Sequence, residues 1–129
     1  MARQLLIVTA LAETAVGLPL LVSPPLVAEL LLGASLDAPV ASIVGRIAGA
    51  ALLSLGCACW LARDDGPNRA VRGLFAAMLL YNCAAVAVLA HAGTIMGLVG
   101  VLMWPAVALH TGLAVWCIAC LRNRPSLRL

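Results

Sequence analysis

The sequence predicts an all-α integral membrane protein, a bundle of four transmembrane helices with both termini on the cytoplasmic side. Three observations predict this class: a very apolar composition, four apolar runs of membrane-spanning length, and arginines confined to one side of the resulting topology. Of the 129 residues, 64% are hydrophobic and 10% are charged, and the mean hydropathy is +1.11. Soluble domains are about 45–50% apolar and about 25% charged, so the composition excludes a soluble globular fold.

Four apolar runs are long enough to cross a bilayer, because a hydrocarbon core of about 30 Å takes about 20 helical residues. The runs cover roughly residues 4–22, 39–62, 71–92 and 97–121. Little chain remains outside them. The sequence therefore predicts a single four-helix transmembrane domain over residues 1–129.

A short helix is predicted over residues 24–33, between the first two transmembrane helices. Ser23 can cap this helix, Pro24 suits its first position, and Gly33 can end it. About ten residues extend only about 15 Å, which is too short to cross the bilayer. We expect this helix to lie at the outer membrane surface.

The arginines determine the predicted orientation. All eight basic residues are arginine, which together with abundant Ala, Leu, Val and Gly indicates a GC-rich bacterial genome. Seven of them lie on one side of the predicted topology: Arg3, Arg63, Arg69, Arg72, Arg122, Arg124 and Arg128. By the positive-inside rule this side is the cytoplasmic face of the bacterial inner membrane. The net charge of +3 thus reflects topology and contact with anionic lipid, and it does not indicate nucleic-acid binding.

Five polar residues at membrane depth form the candidate site: Glu13, Arg46, Tyr81, Asn82 and His110. Counted from the arginine-bearing helix ends, Glu13, Tyr81 and Asn82 lie about 15 Å deep. His110 lies about 18 Å deep and Arg46 about 25 Å. Charged groups at such depths cost on the order of 3 kcal/mol and usually find partners. We therefore expect Glu13 to pair with Arg46, with His110 and Asn82 as further hydrogen-bonding groups.

Three uses of this cluster stay open: a structural network, a small pocket for a proton, an ion or the polar part of a ligand, and a contact with another subunit. The leading hypothesis is a non-enzymatic accessory or binding component of a membrane assembly. Its partners would be membrane lipid and either other membrane subunits or a second copy of the chain. The alternatives are a small proton- or cation-coupled transporter that uses Glu13, and a quinone-linked oxidoreductase subunit.

Three glycines and five cysteines complete the set of candidate residues. Gly45, Gly49 and Gly56 lie on one stripe of the second transmembrane helix and predict close packing inside the bundle, with homodimerisation as the alternative. Four of the cysteines fall in the cytoplasmic half, where thiols stay reduced, so we expect structural packing rather than a redox pair or a thiolate metal site. No catalytic or phosphate-binding motif occurs, and the sequence predicts no catalytic residue, metal or cofactor.

Two motifs in the first half follow the first predicted helix: SPPLVAELLLG, and then GRIAGAALLSLG, in which Arg-x-x-Gly opens a Gly-rich helix. Their order resembles small bacterial four-helix membrane proteins of the DoxX-like kind, a resemblance that implies a fold and little about activity. The stretch LAETAVG resembles the first helix of small multidrug resistance transporters, whose Glu binds protons and cationic drugs. The third helix here lacks the Gly-x-Ala-Tyr pattern of those transporters.

Accessibility labelling tests the predicted orientation. Single cysteines introduced at positions 36 and 68, in a background without the native cysteines, should react with a membrane-impermeant reagent from opposite faces. The reason is that position 36 lies in the outer connection and position 68 in the arginine-bearing one. Labelling of both positions from the same face would contradict the four-span topology.

Overall fold

The computed structural model describes residues 1–122, and this part of the chain is helical with irregular connections. The helices are α1 (Ala2–Val22), α2 (Pro24–Leu32), α3 (Pro39–Leu61), α4 (Arg69–Thr94) and α5 (Met103–Arg122), with a single 3-10 turn (Ala62–Asp64) after α3. All except α2 and the turn are long and apolar enough to cross a membrane. The predicted all-α class and the four long apolar helices are confirmed.

The helix α1 is the most buried of the four long helices. It packs along α3, while α4 packs along α5, and α1 also contacts α2 and α5. The shared core draws on all four long helices: Leu5, Leu6, Ala10, Cys59, Val71, Phe75, Met78, Leu113 and Cys117. In a bilayer such a core stabilises the fold by close packing rather than by exclusion of water.

The helices α1 and α3 approach each other most closely at glycines. A Cβ atom at Gly49 would lie 2.5 Å from the backbone nitrogen of Leu21 and 2.8 Å from the carbonyl oxygen of Gly17. A Cβ at Gly45 would meet α2, and one at Gly56 would meet α1. The structure therefore places all three glycines of the predicted stripe against neighbouring helices of the same chain.

Ion pairs join two parts of the arginine-bearing end. The Nε atom of Arg3 donates a hydrogen bond to Asp64 at 2.8 Å, and Arg63 pairs with the same carboxylate at 3.3 Å. The start of α1 and the connection after α3 thus lie at one end of the molecule, as the predicted topology requires. Two further arginines of the predicted cytoplasmic set, Arg124 and Arg128, lie outside the described residues.

The last transmembrane helix begins at Met103, so its predicted start at residue 97 is wrong. The chain turns at Gly97, which has a φ of +68°, and residues 98–102 then run over the end of α2. There the backbone N–H of Gly100 donates to Leu31 O at 3.0 Å and that of Leu102 to Leu30 O at 2.8 Å. The carbonyl groups at the end of α2 have no partner within the helix and accept these hydrogen bonds. The other long helices begin and end within two residues of their predicted positions.

The close contact between α1 and α3 predicts the effect of a single methyl group. Gly49→Ala should lower the free energy of unfolding by about 1–3 kcal/mol, because the new methyl would collide with backbone atoms that cannot yield. Gly73→Ala is the matched control, since nothing lies within 4 Å of its Cβ position and alanine favours a helix by up to about 1 kcal/mol. Thermal unfolding in detergent measures both, and equal stability of the two variants would contradict the contact.

Candidate functional site

Glu13 is nearly buried inside the protein, with 3% of its surface exposed. It lies eleven residues beyond the start of α1 and therefore about 16 Å along the helix. Side chains from α1, α4 and α5 enclose a cavity of about 30 Å³ at this depth, and its polar lining residues are Glu13, Tyr81 and His110. A cavity of this size has room for about one water molecule.

A hydrogen bond to Asn82 orients the imidazole of His110. The distance between His110 Nδ1 and Asn82 Oδ1 is 2.7 Å, and Asn82 Nδ2 donates to the carbonyl oxygen of Met78 at 2.8 Å. An amide oxygen only accepts hydrogen bonds, so the Nδ1 atom of His110 carries the hydrogen. The Nε2 atom has no hydrogen-bond partner among residues 1–122 and is the ring nitrogen that can accept a proton.

Tyr81 contacts the same imidazole from a second direction. The two rings are arranged edge to face, with centroids 5.6 Å apart and planes at 82°. Contacts of this kind stabilise by about 0.5–1.5 kcal/mol beyond the area that they bury. Because Tyr81 and Asn82 are adjacent on α4, this one helix determines how His110 is held. The structure thus brings together four of the five predicted site residues: Glu13, Tyr81, Asn82 and His110.

Thr9 belongs to the same region and was not among the predicted site residues. Its side chain is fully buried, and its Oγ1 atom is the one buried side-chain oxygen or nitrogen in the described chain without a hydrogen-bond partner. It precedes Glu13 by four residues, so both side chains lie on one face of α1. The four-residue spacing in the sequence places Thr9 beside Glu13, although a threonine in an apolar helix does not by itself indicate a functional site.

Arg46 does not join the cluster, and the predicted Glu13–Arg46 pair is wrong. The Nη1 atom of Arg46 donates to the carbonyl oxygen of Leu21 at 2.7 Å, and the side chain is exposed. Carbonyl groups in the last turn of a helix lack a partner within the helix and attract a positive charge. Leu21 lies eight residues beyond Glu13, or about 12 Å along α1, so this interaction holds the guanidinium group away from Glu13.

None of the five cysteines lines the cavity beside Glu13. All five are free thiols, and Cys59 and Cys117 are fully buried in the shared core. The Sγ atom of Cys59 lies 3.5 Å from the sulfur of Met78. Within residues 1–122, no group of three or more His, Cys, Asp or Glu side chains is placed to hold a metal ion. These two thiols therefore contribute to packing between helices.

The fold and the polar cluster define the class of the chain as a small, helical, multi-pass membrane protein with ionisable groups between its helices. Comparison with models of known protein families, with curated proteins and with solved structures finds no match. A fold of this kind does not determine an activity, which depends on the side chains of the site.

A double-mutant cycle tests whether Glu13 and Arg46 are separate from each other, as they are in the structure. The changes Glu13→Gln and Arg46→Met should add to within about 0.5 kcal/mol in the free energy of unfolding, because the two side chains have separate surroundings. His110→Ala and Asn82→Ala form the control cycle. Since their side chains share a hydrogen bond, these two changes should not add. A coupling free energy above about 1 kcal/mol between positions 13 and 46 would indicate an ion pair between the two side chains and would contradict their separation.

Proposed function

We propose that the protein is a small membrane carrier in which Glu13 takes up and releases a proton at the cavity shared with Tyr81 and His110. The supporting observation is a nearly buried carboxyl group that lines a cavity, with no cationic side chain paired to it among residues 1–122. Ionisable groups inside membrane helices are rare and mark proton and ion pathways.

The chemistry of the cluster suits proton exchange. A protonated Glu13 can give its proton to a water molecule in the cavity, and that water can pass a proton to Nε2 of His110, with the reverse sequence restoring the carboxyl group. Asn82 occupies Nδ1 and leaves Nε2 as the accepting atom.

The size of the cavity favours a proton or a small cation over an organic ligand. Pockets for small molecules have volumes of about 300 Å³ or more, whereas this cavity has a volume of about 30 Å³. A quinone ring or a cationic drug would require the helices to move apart. A proton carrier therefore fits the site better than a quinone-linked oxidoreductase subunit does.

A component of a larger membrane assembly is the second candidate. It is favoured by α3, which packs mainly on α1 and leaves a row of apolar side chains uncovered: Val40, Ile43, Val44 and Ile47. A helix with one long neighbour can accept another subunit on its free side. In that case the proton-binding site would serve the assembly rather than act alone.

We also propose that the arginine-bearing end faces the cytoplasm of a bacterial inner membrane. Arg3 and Arg63 pair with one carboxylate at that end, and Arg69, Arg72 and Arg122 lie at the corresponding ends of α4 and α5. The opposite end, formed by α2 and residues 95–102, carries Glu29, and the one arginine near it is Arg46, which bonds to the last turn of α1. This distribution is the one that the positive-inside rule describes.

Infrared difference spectroscopy tests the proposal directly. When the pH is raised, the spectrum of the reconstituted protein should lose a protonated-carboxyl band, and this band should be absent from the Glu13→Gln variant at every pH. The control variant Glu29→Gln should still show the band, because Glu29 is exposed in α2. Proton flux into vesicles, driven by a potassium diffusion potential, should fall to the level of empty vesicles in Glu13→Gln. If the spectra of the wild type and Glu13→Gln change identically with pH, Glu13 does not exchange protons and the proposal fails.

A further inference from the structure

A second cavity lies between α1 and α3, on the side of this helix pair that the rest of the protein leaves uncovered. It is an open groove of about 330 Å³. Its walls include Leu11 and Thr14 from α1 and Leu53, Cys57 and Trp60 from α3. From residue 53 to residue 60 the groove runs about 10 Å along α3, from the depth of the membrane towards its surface.

The groove ends at a group of charged residues. The guanidinium carbon of Arg63 lies 4.2 Å from the ring centroid of Trp60, and Arg63 Nη1 donates to the backbone carbonyl oxygen of the same tryptophan. Arg63 and Arg3 share the carboxylate of Asp64, at 3.3 and 2.8 Å. Two guanidinium groups thus face one carboxylate. The Nη2 atom of Arg63 and both Nη atoms of Arg3 have no partner among residues 1–122.

The combination of an apolar groove and guanidinium groups with unused N–H donors matches the two parts of an anionic phospholipid. We propose that one acyl chain lies in the groove and that the phosphate accepts hydrogen bonds from Arg63 and Arg3. The stacking on Trp60 holds Arg63 in place before the lipid arrives, so less side-chain entropy is lost on binding. A phosphatidylcholine chain fits the same groove, but its choline group cancels the attraction of the arginines.

A second copy of the chain is a weaker occupant of this surface. Two copies inserted in the same orientation would bring their Arg3 and Arg63 groups together at one membrane surface. Like charges across such a contact oppose association. A lipid phosphate supplies the opposite charge, and the exposed tryptophan, Trp60, lies at the depth where aromatic side chains meet lipid head groups.

Quenching of Trp60 fluorescence by lipids with brominated acyl chains tests the proposal. The protein is first reduced to this one tryptophan by Trp104→Phe and Trp116→Phe. It is then placed in phosphatidylcholine vesicles that contain a small fraction of brominated phosphatidylglycerol or brominated phosphatidylcholine. Quenching by phosphatidylglycerol should reach half its maximum at a mole fraction lower by about fivefold or more, since a favourable contact with each basic residue contributes about that factor.

Variants distinguish a specific site from general attraction to the membrane. Arg63→Gln and Arg3→Gln, tested separately, should each remove most of the preference for phosphatidylglycerol. The charge-matched control Arg72→Gln should keep it, because Arg72 lies on α4 away from the groove. Cys57→Phe should fill the groove and weaken quenching by both lipids.

Three results would overturn the proposal. They are equal quenching by the two lipids, a preference that survives both Arg63→Gln and Arg3→Gln, and a dimer in which neither lipid reaches Trp60. None of these readouts depends on Glu13 or on proton exchange. The lipid site and the proposed function can therefore fail independently.

Discussion

The backbone contact between α1 and α3 is the constraint on which the rest of the structure depends. At Gly17 and Gly49 the backbones of the two helices come close together. Gly56 extends the contact to the level of Glu13, where an added Cβ would lie 3.4 Å from that of Glu13. Because α3 covers α1 so closely on one side, the Glu13 carboxyl group is left to the side of α4 and α5. The position of the acidic group thus follows from residues that have no side chain.

Much of the fold follows from the sequence, because length and hydropathy determine which segments can cross a membrane. Residue counting also gives depth, which is why Glu13, Tyr81 and His110 were expected at one level and are found around one cavity. Counting does not give the partner of a long side chain. Arg46 bonds to a backbone oxygen, Leu21 O, which no pattern of residue types marks in advance.

Contacts with distant parts of the chain also explain why the start of α5 differs from the prediction. Residues 97–102 are as apolar as the helix that follows, so hydropathy extends the helix through them. What separates the two segments is a pair of backbone hydrogen bonds to the end of α2, a partner some seventy residues earlier in the chain. Contacts between distant segments, rather than local composition, set this boundary and the tautomer of His110.

The lengths of the helices have a consequence for the membrane in which the protein resides. From Met103 to Arg122, the last described residue, α5 extends about 30 Å, whereas the 26 residues of α4 extend about 39 Å. The backbone of residues 98–102 is hydrogen-bonded to α2 and cannot join the helix without losing those hydrogen bonds, so α5 cannot begin before Met103. Irregular backbone is excluded from lipid, so the hydrocarbon boundary must fall near Met103. Since Arg122 lies about 30 Å along the helix from this boundary, a thicker bilayer would have to thin locally around α5.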